Sequence, residues 1–246
     1  MTNIYNAIIQ SKTENKKLLA ILLDPDKIIW DNLGYLIEKI YQSPATHIFI
    51  GGSHVQNNIL DELILKIRQA SLLGDREALP IVLFPGNPSQ ISAEADAILF
   101  LSLISGRNPD YLISHQVDAV PILKKTELEI ISTGYMLIES GSETAVARVS
   151  NTKPLARNNS DYVMHTAQAG EMLGHKLIYL EAGSGAKQAV PFEMIKRVSN
   201  NIEIPLIVGG GIIDLQGIQK AYEAGADLVV IGTAFENDVE FFNQNM

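Results

Sequence analysis

Eight short runs of the chain are almost continuously apolar, and polar intervals with helical spacing separate most of them. The runs are LLAILLD (18–24), HIFIGGS (47–53), PIVLFPG (80–86), AILFLSL (97–103), IISTGYMLI (130–138), KLIYLEA (176–182), PLIVGGG (205–211) and LVVIGTA (228–234). A strand that faces water on one side alternates apolar with polar residues. Most of these runs do not, so they predict strands covered on both faces, as in a parallel sheet. Intervals such as DNLGYLIEKIYQS, NNILDELILKIRQAS, SDYVMHTAQAGEMLG and DLQGIQKAYEAGA carry apolar residues three and four apart. Several open with Asp, Asn or Ser, whose side chains cap helix N-termini. Eight βα units of this kind predict an α/β protein built as a closed (β/α)8 TIM-type barrel.

The pattern weakens between the third and fourth runs, where NPSQISAEAD (87–96) is too short for a full barrel helix. The third βα unit is therefore expected to be modified. The longest irregular stretch, ESGSETAVARVSNTKPLARNN (139–159), has no strong period and suits a functional or interface loop better than a domain linker. With 246 residues and 46% hydrophobic composition, residues 1–246 are expected to form one domain.

Composition removes several functional classes. There is no cysteine, which excludes disulfides and thiolate metal sites. The net charge of −9 argues against a nucleic-acid binder, because such binding rests on clustered Lys and Arg. The first residues show no secretory pattern and no apolar run reaches membrane-spanning length, so a cytoplasmic protein without stable membrane insertion is expected. The five histidines lack zinc-ligand spacing, and neither a nucleophile elbow nor a P-loop occurs.

In a barrel of this type the reactive groups lie at the C-terminal ends of the strands. Three adjacent strand ends deliver glycines: Gly183, Ser184 and Gly185 after the sixth, Gly209, Gly210 and Gly211 at the seventh, and Gly232 with Thr233 at the eighth. Missing side chains let backbone N–H groups approach a ligand, and helices beginning near Asp214 and Ala234 would aim their positive ends at it. One such pair would mean only a tight turn, but three adjacent loops predict a phosphate cradle. A dinucleotide fold is disfavoured, since GSGAKQ lacks the third glycine of that fingerprint.

One acid, Glu181, stands at the exit of the sixth strand, inside LIYLEAGSGA (177–186). Residues two apart share a strand face, so Tyr179 and Glu181 are expected to point into the barrel and Leu180 towards the helices. A carboxylate beside a phosphate site suits a base for a substrate hydroxyl, the alternative being an acid paired with a cation or with backbone donors. Across the mouth, Asp24 of LLDPDK and Ser53 of GGSH offer two hard oxygen ligands, a sparse set that Mg2+ could complete with water and substrate phosphates. Taken alone, DPD is more often a turn or a helix cap.

Four motifs in register, LLDPDK, YLEAGSG, VGGGI and VIGTAFE, resemble the geranylgeranylglyceryl phosphate synthase family and its PcrB heptaprenylglyceryl phosphate synthase relatives, over almost the whole chain. That resemblance implies a Mg2+-dependent prenyltransferase, which joins the C3 hydroxyl of sn-glycerol 1-phosphate to a prenyl diphosphate such as geranylgeranyl diphosphate for ether lipid biosynthesis. It implies a barrel that has lost its third helix, and usually a homo-oligomer. Carried over by position, Glu181 looks like the base with Tyr179 beside it. The glycerol phosphate site looks like Tyr179, Leu180, Glu181, Ala182, Gly183, Ser184 and Gly185, with Gly209, Gly210, Gly211, Gly232 and Thr233. Asp24 and Ser53 match the magnesium positions. One branch of the family has a lysine where this chain has Leu22, which leaves the diphosphate short of one cation; Arg107 is a candidate substitute, although an exposed, solvated arginine is the preferred reading of that position. Phe84, Phe100 and Leu101 are candidates for a prenyl groove, opened by the shortened third unit, although ordinary barrel core is the preferred reading of each taken singly. Another phosphosugar enzyme on the same barrel, and a noncatalytic phosphate-binding barrel, are the competing readings.

Overall fold

The computed structural model describes residues 3–52, 57–74 and 76–243. Eight parallel strands close on themselves in chain order: β1 (Leu18–Leu23), β2 (His47–Ile50), β3 (Ile81–Leu83), β4 (Ala97–Leu103), β5 (Glu129–Leu137), β6 (Leu177–Glu181), β7 (Leu206–Gly209) and β8 (Leu228–Ile231). The last strand pairs with the first through Leu18 opposite Leu228 and Ile21 opposite Ile231. All eight apolar runs are strands, and the expected barrel is the fold.

Period-two alternation sorts the strand residues into two cores. Leu99, Tyr135, Tyr179, Ile207 and Val230 fill the barrel interior. Ile98, Met136, Leu180, Val208 and Val229 pack outwards against the helices. A strand flanked by two cores cannot alternate apolar with polar, which is why the runs read as continuous. Each buried aliphatic side chain contributes roughly 1.5–3 kcal/mol, so covering both faces is also what stabilises the sheet.

The outer layer is α2 (Leu33–Gln42), α3 (Asn57–Leu73), α4 (His115–Leu123), α6 (Ser160–Met172), α7 (Phe192–Ser199) and α8 (Leu215–Glu223), with α5 (Ala145–Ser150) and α9 (Thr233–Asn237) short elements at the mouth. The first helix, α1 (Ile4–Thr13), precedes β1 and was not anticipated. It packs Ile4 and Ile8 against the barrel interior, and its first N–H groups, those of Ile4 and Tyr5, donate to Glu129 at 2.6 and 2.9 Å. Because Glu129 begins β5, this helix closes the N-terminal end of the barrel and leaves the other end for chemistry.

No helix joins β3 to β4. Residues 84–96 run as turns, tied by Gly86 N–H to Gln90 Oε1 at 2.7 Å and by Ile81 N–H to Asp96 Oδ2 at 2.7 Å. Only Ile91 and Ala95 of this segment enter the outer core, so the wall at β3 and β4 is thin. The long stretch 139–159, read as irregular, contains the six-residue α5 and one bridge between Ile138 and Leu155. Six residues are too few to display a helical period.

Candidate active site

The C-terminal mouth opens into a cavity of about 1000 Å3 that reaches from the glycine turns, past Glu181, to Ile91, Ile98, Phe100 and Ala119 at the thin wall. That volume is at the upper end of small-molecule sites. Phe84 stacks on Tyr179 with ring centres 5.3 Å apart, and Tyr135 meets Tyr179 edge-on at 5.5 Å, giving the cavity an aromatic floor. Phe84, Phe100 and Leu101 all line it.

Tyr179 and Glu181 face inwards as the strand period requires. Glu181 is buried, and its Oε1 accepts the Gly183 N–H at 2.6 Å. Among the described residues no lysine, arginine or histidine forms an ion pair with it. Burial pushes its carboxyl above the ordinary value, opposed by the Gly183 amide and then by the nearby Tyr179 hydroxyl. Burial and then the Glu181 charge hold the Tyr135 and Tyr179 phenols far above their ordinary values, so both stay protonated. The Tyr179 hydroxyl is buried beside the carboxylate but makes no hydrogen bond of acceptable geometry.

The three glycine turns converge. A Cβ on Gly209 would lie 2.5 Å from Tyr179 Oη and 3.1 Å from Glu181 Oε2, so this position must be bare for the tyrosine and the acid to fit. Gly210, at φ +80°, brings its backbone so near that a Cβ would stand 2.3 Å from Glu181 Oε1 and 2.6 Å from the Gly183 nitrogen. Ser184 Oγ lies 3.3 Å from Thr233 Oγ1, which joins the sixth turn to the eighth. Gly183, Ser184, Gly185, Gly210, Gly211, Gly232 and Thr233 line one cavity, and α9 starts after Gly232 without a side-chain cap. The Phe235 and Glu236 N–H groups already donate to Gly232 O, at 2.9 and 3.0 Å; free N–H groups at a helix start beside glycine amides are the kind of arrangement that can receive an anion.

A family comparison decides what kind of barrel this is: the PcrB family model matches residues 10–246. The chain belongs to the PcrB family. It is 67% identical over 243 residues to a geranylgeranylglyceryl phosphate synthase of Flavobacterium johnsoniae, covering 99% of this chain and 98% of that one. It is also 40% identical over 229 residues to the synthase of the same name from Thermococcus gammatolerans, covering 93% and 88%. The crystal structure of (S)-3-O-geranylgeranylglyceryl phosphate synthase from Thermoplasma acidophilum, in complex with its substrate sn-glycerol-1-phosphate, superposes with a TM-score of 0.89 at 30% identity, covering 99% and 95%.

Not every expected position meets the cavity of this PcrB-family barrel. The side chains of Leu180 and Ala182 lie in the outer core, because alternation turns them to the helices, and Gly209 does not line the cavity either, since it is still within β7, where its carbonyl accepts the Ala182 N–H at 3.0 Å. Leu180 and Ala182 position their neighbours. Arg107 does not line the cavity either; its guanidinium donates to Ile104 O at 3.3 Å and to Tyr162 Oη at 3.1 Å. Ser53 lies outside the described residues.

Asp24, expected across the mouth from the glycine turns, instead stands beside the eighth turn, because β1 pairs with β8 as the barrel closes; its carboxylate accepts the Asp26 N–H at 3.2 Å while Pro25 opens a single turn (Pro25–Lys27). Lys27 Nζ lies 3.4 Å from Asp24 Oδ2 and 3.0 Å from Glu236 Oε2, and Glu236 Oε1 accepts the Asp24 N–H at 3.2 Å. The described residues contain no group of three or more acids or histidines able to enclose a metal ion. One or two rim carboxylates fit Mg2+ in its sparse mode, where waters and substrate phosphates supply the remaining ligands. Lys27 and Glu236 were not singled out from the sequence, although both stand in quoted motifs.

Proposed function

We propose that this chain is a geranylgeranylglyceryl phosphate synthase-like prenyltransferase that forms an ether between the C3 oxygen of sn-glycerol 1-phosphate and C1 of a prenyl diphosphate. The observation that carries this reading is the buried, cation-free Glu181 at the point where three glycine turns meet one long apolar cavity. An acid placed there for binding would repel a phosphate; an acid placed there as a base finds the hydroxyl that the phosphate anchors.

Each half of the cavity has one task. The amides of Ser184, Gly185, Gly210, Gly211 and Thr233 hold the glycerol phosphate, with the Tyr179 hydroxyl as a further donor. Its C3 hydroxyl gives its proton to Glu181 as the new O–C bond forms at the allylic carbon, and the old C1–O pair leaves with the diphosphate. The prenyl chain runs over Phe84 and Leu101 and out past Ile91, Phe100 and Ala119, through the wall that lacks a helix. Fixing both partners in a dry, aromatic-floored site lowers the barrier by orientation as well as proton transfer. Asp24, with Ser53, would hold Mg2+, which supplies charge neutralisation for the departing diphosphate. We further propose that residues 1–246 act as one domain, as a cytoplasmic homo-oligomer.

Incubating the purified protein with Mg2+, radiolabelled sn-glycerol 1-phosphate and prenyl diphosphates of several chain lengths tests the reading. An organic-soluble labelled ether and released diphosphate are expected. Turnover of glycerol phosphate without a prenyl donor would point to a different phosphosugar enzyme, and saturable binding without any turnover to a binding barrel.

A further inference from the structure

The cavity has a charge problem. Besides Glu181 it is lined by Asp24 and Glu236, and Lys27 is the only lysine or arginine among the described residues that line it. A diphosphate brings several further negative charges to the same rim. One divalent ion beside Asp24 cannot neutralise both sets, so a second cation is needed.

Lys27 is built into that rim. Its ammonium bridges Asp24 and Glu236, at 3.4 and 3.0 Å, and so ties the end of β1 to α9, which follows the neighbouring strand β8. It is also half-exposed, with 47% of the side chain open to solvent, so a stronger anion can reach it. A lysine presents three donors on a flexible stem, and two carboxylates do not exhaust them.

Building on the prenyl-diphosphate reading above, we propose that Lys27 is the protein cation that binds the diphosphate and stabilises it as leaving group, with Glu236 as the residue that positions the ammonium. Before substrate enters, Lys27 serves as counter-ion to Asp24. When the diphosphate arrives, the lysine moves its remaining donors onto it and frees Asp24 for a divalent ion. This supplies from the third residue after Asp24 the cation that Leu22 does not, and it leaves Arg107 to its structural contacts.

Titration calorimetry with magnesium pyrophosphate and, separately, sn-glycerol 1-phosphate tests the assignment. Lys27→Met should weaken magnesium pyrophosphate about ten- to hundredfold, as expected for losing a charged hydrogen-bond donor, and leave glycerol phosphate affinity within about twofold. Lys27→Arg should restore most of the lost affinity. A lysine that only ties β1 to α9 would instead weaken both ligands together, and that result, or unchanged pyrophosphate binding, overturns the proposal. Should Lys27→Met not fold, reductive 13C-methylation of the wild-type protein keeps every lysine charged. The Lys27 resonance, assigned by its loss in Lys27→Arg, should shift with magnesium pyrophosphate and not with glycerol phosphate; a static resonance overturns the proposal. If Lys27-dependent pyrophosphate binding occurs but no ether forms, the prenyltransferase reading falls and the diphosphate contact stands. If the ether forms with Lys27→Met as it does with wild type, the reverse holds.

Discussion

Glu181 Oε1 and the Gly183 N–H share a 2.6 Å hydrogen bond that folds the end of β6 back on itself, and this bond is the carboxylate's strongest tie to the protein. It holds one oxygen still and leaves Oε2 facing the space bounded by Gly209 and Tyr179. In the proposed reaction Oε2 is the oxygen that takes the proton.

Glu181→Gln should therefore lower kcat by about 10^2 to 10^4, the usual contribution of a positioned base, while the glycerol phosphate dissociation constant changes little. The amide oxygen can still accept the Gly183 N–H, so the loop keeps its shape. In the wild-type enzyme the acid limb of the kcat profile should lie above the ordinary glutamate range, because burial raises this carboxyl and the ionised form is the active one. Stopped assays from pH 4 to 9 check both statements, and a kcat of Glu181→Gln equal to wild type would remove the base assignment.

The same shift has a cost in stability, with an opposite sign to that of most acids. A carboxyl whose folded value is raised contributes fully below its unfolded value, and the contribution is lost as pH rises through the folded value. Above that window the fold carries an ionised, buried, cation-free carboxylate. Glu181→Gln should accordingly raise Tm at neutral pH and have little effect near pH 4. Thermal denaturation of both proteins at the two pH values gives the comparison, and a lower Tm for the variant at neutral pH would contradict it.

Much of this was legible in the sequence for a physical reason. Strands packed on both sides must be apolar throughout, so β1 to β8 announced themselves, and the inward facing of Tyr179 and Glu181 followed from a period of two. Local patterns say less about α1, whose Asn3 cap and Ile4–Ile8 spacing are ordinary but whose use as a stopper depends on Glu129, 125 residues after Ile4. The Lys27–Glu236 pair spans 209 residues, and nothing in DPDK or AFE alone states that they meet. Arg107 stayed ambiguous because a basic residue near a helix entrance looks the same whether it faces a ligand or, as here, two backbone carbonyls and a phenol.

Two glycines of the cradle should respond differently to one added methyl group. Gly185, at φ +69°, has nothing within 4 Å of a built Cβ, so Gly185→Ala bears only the left-handed backbone cost of roughly 1–2 kcal/mol. Gly210→Ala bears a similar cost and also drives its methyl into Glu181 Oε1 and the Gly183 nitrogen. The second variant should lose glycerol phosphate affinity by more than about tenfold and be the less stable of the two. Denaturant titration and calorimetry rank them, and equal behaviour would mean that the sixth and seventh turns do not press together as described.

Tyr179→Phe separates stability from function at a single atom. The hydroxyl is buried, protonated and without a satisfactory partner, which normally costs the fold about 1–3 kcal/mol in lost hydration. Removing it should leave Tm unchanged or raise it, since the ring keeps its stacking on Phe84 and its edge contact with Tyr135. In the proposed reaction this donor is used by the bound glycerol phosphate. Glycerol phosphate should bind several-fold more weakly to the variant, in line with about 1 kcal/mol for one hydrogen bond. A variant both less stable and unchanged in affinity would show that the hydroxyl serves the barrel core and leave Glu181 and the glycine amides to hold the substrate alone.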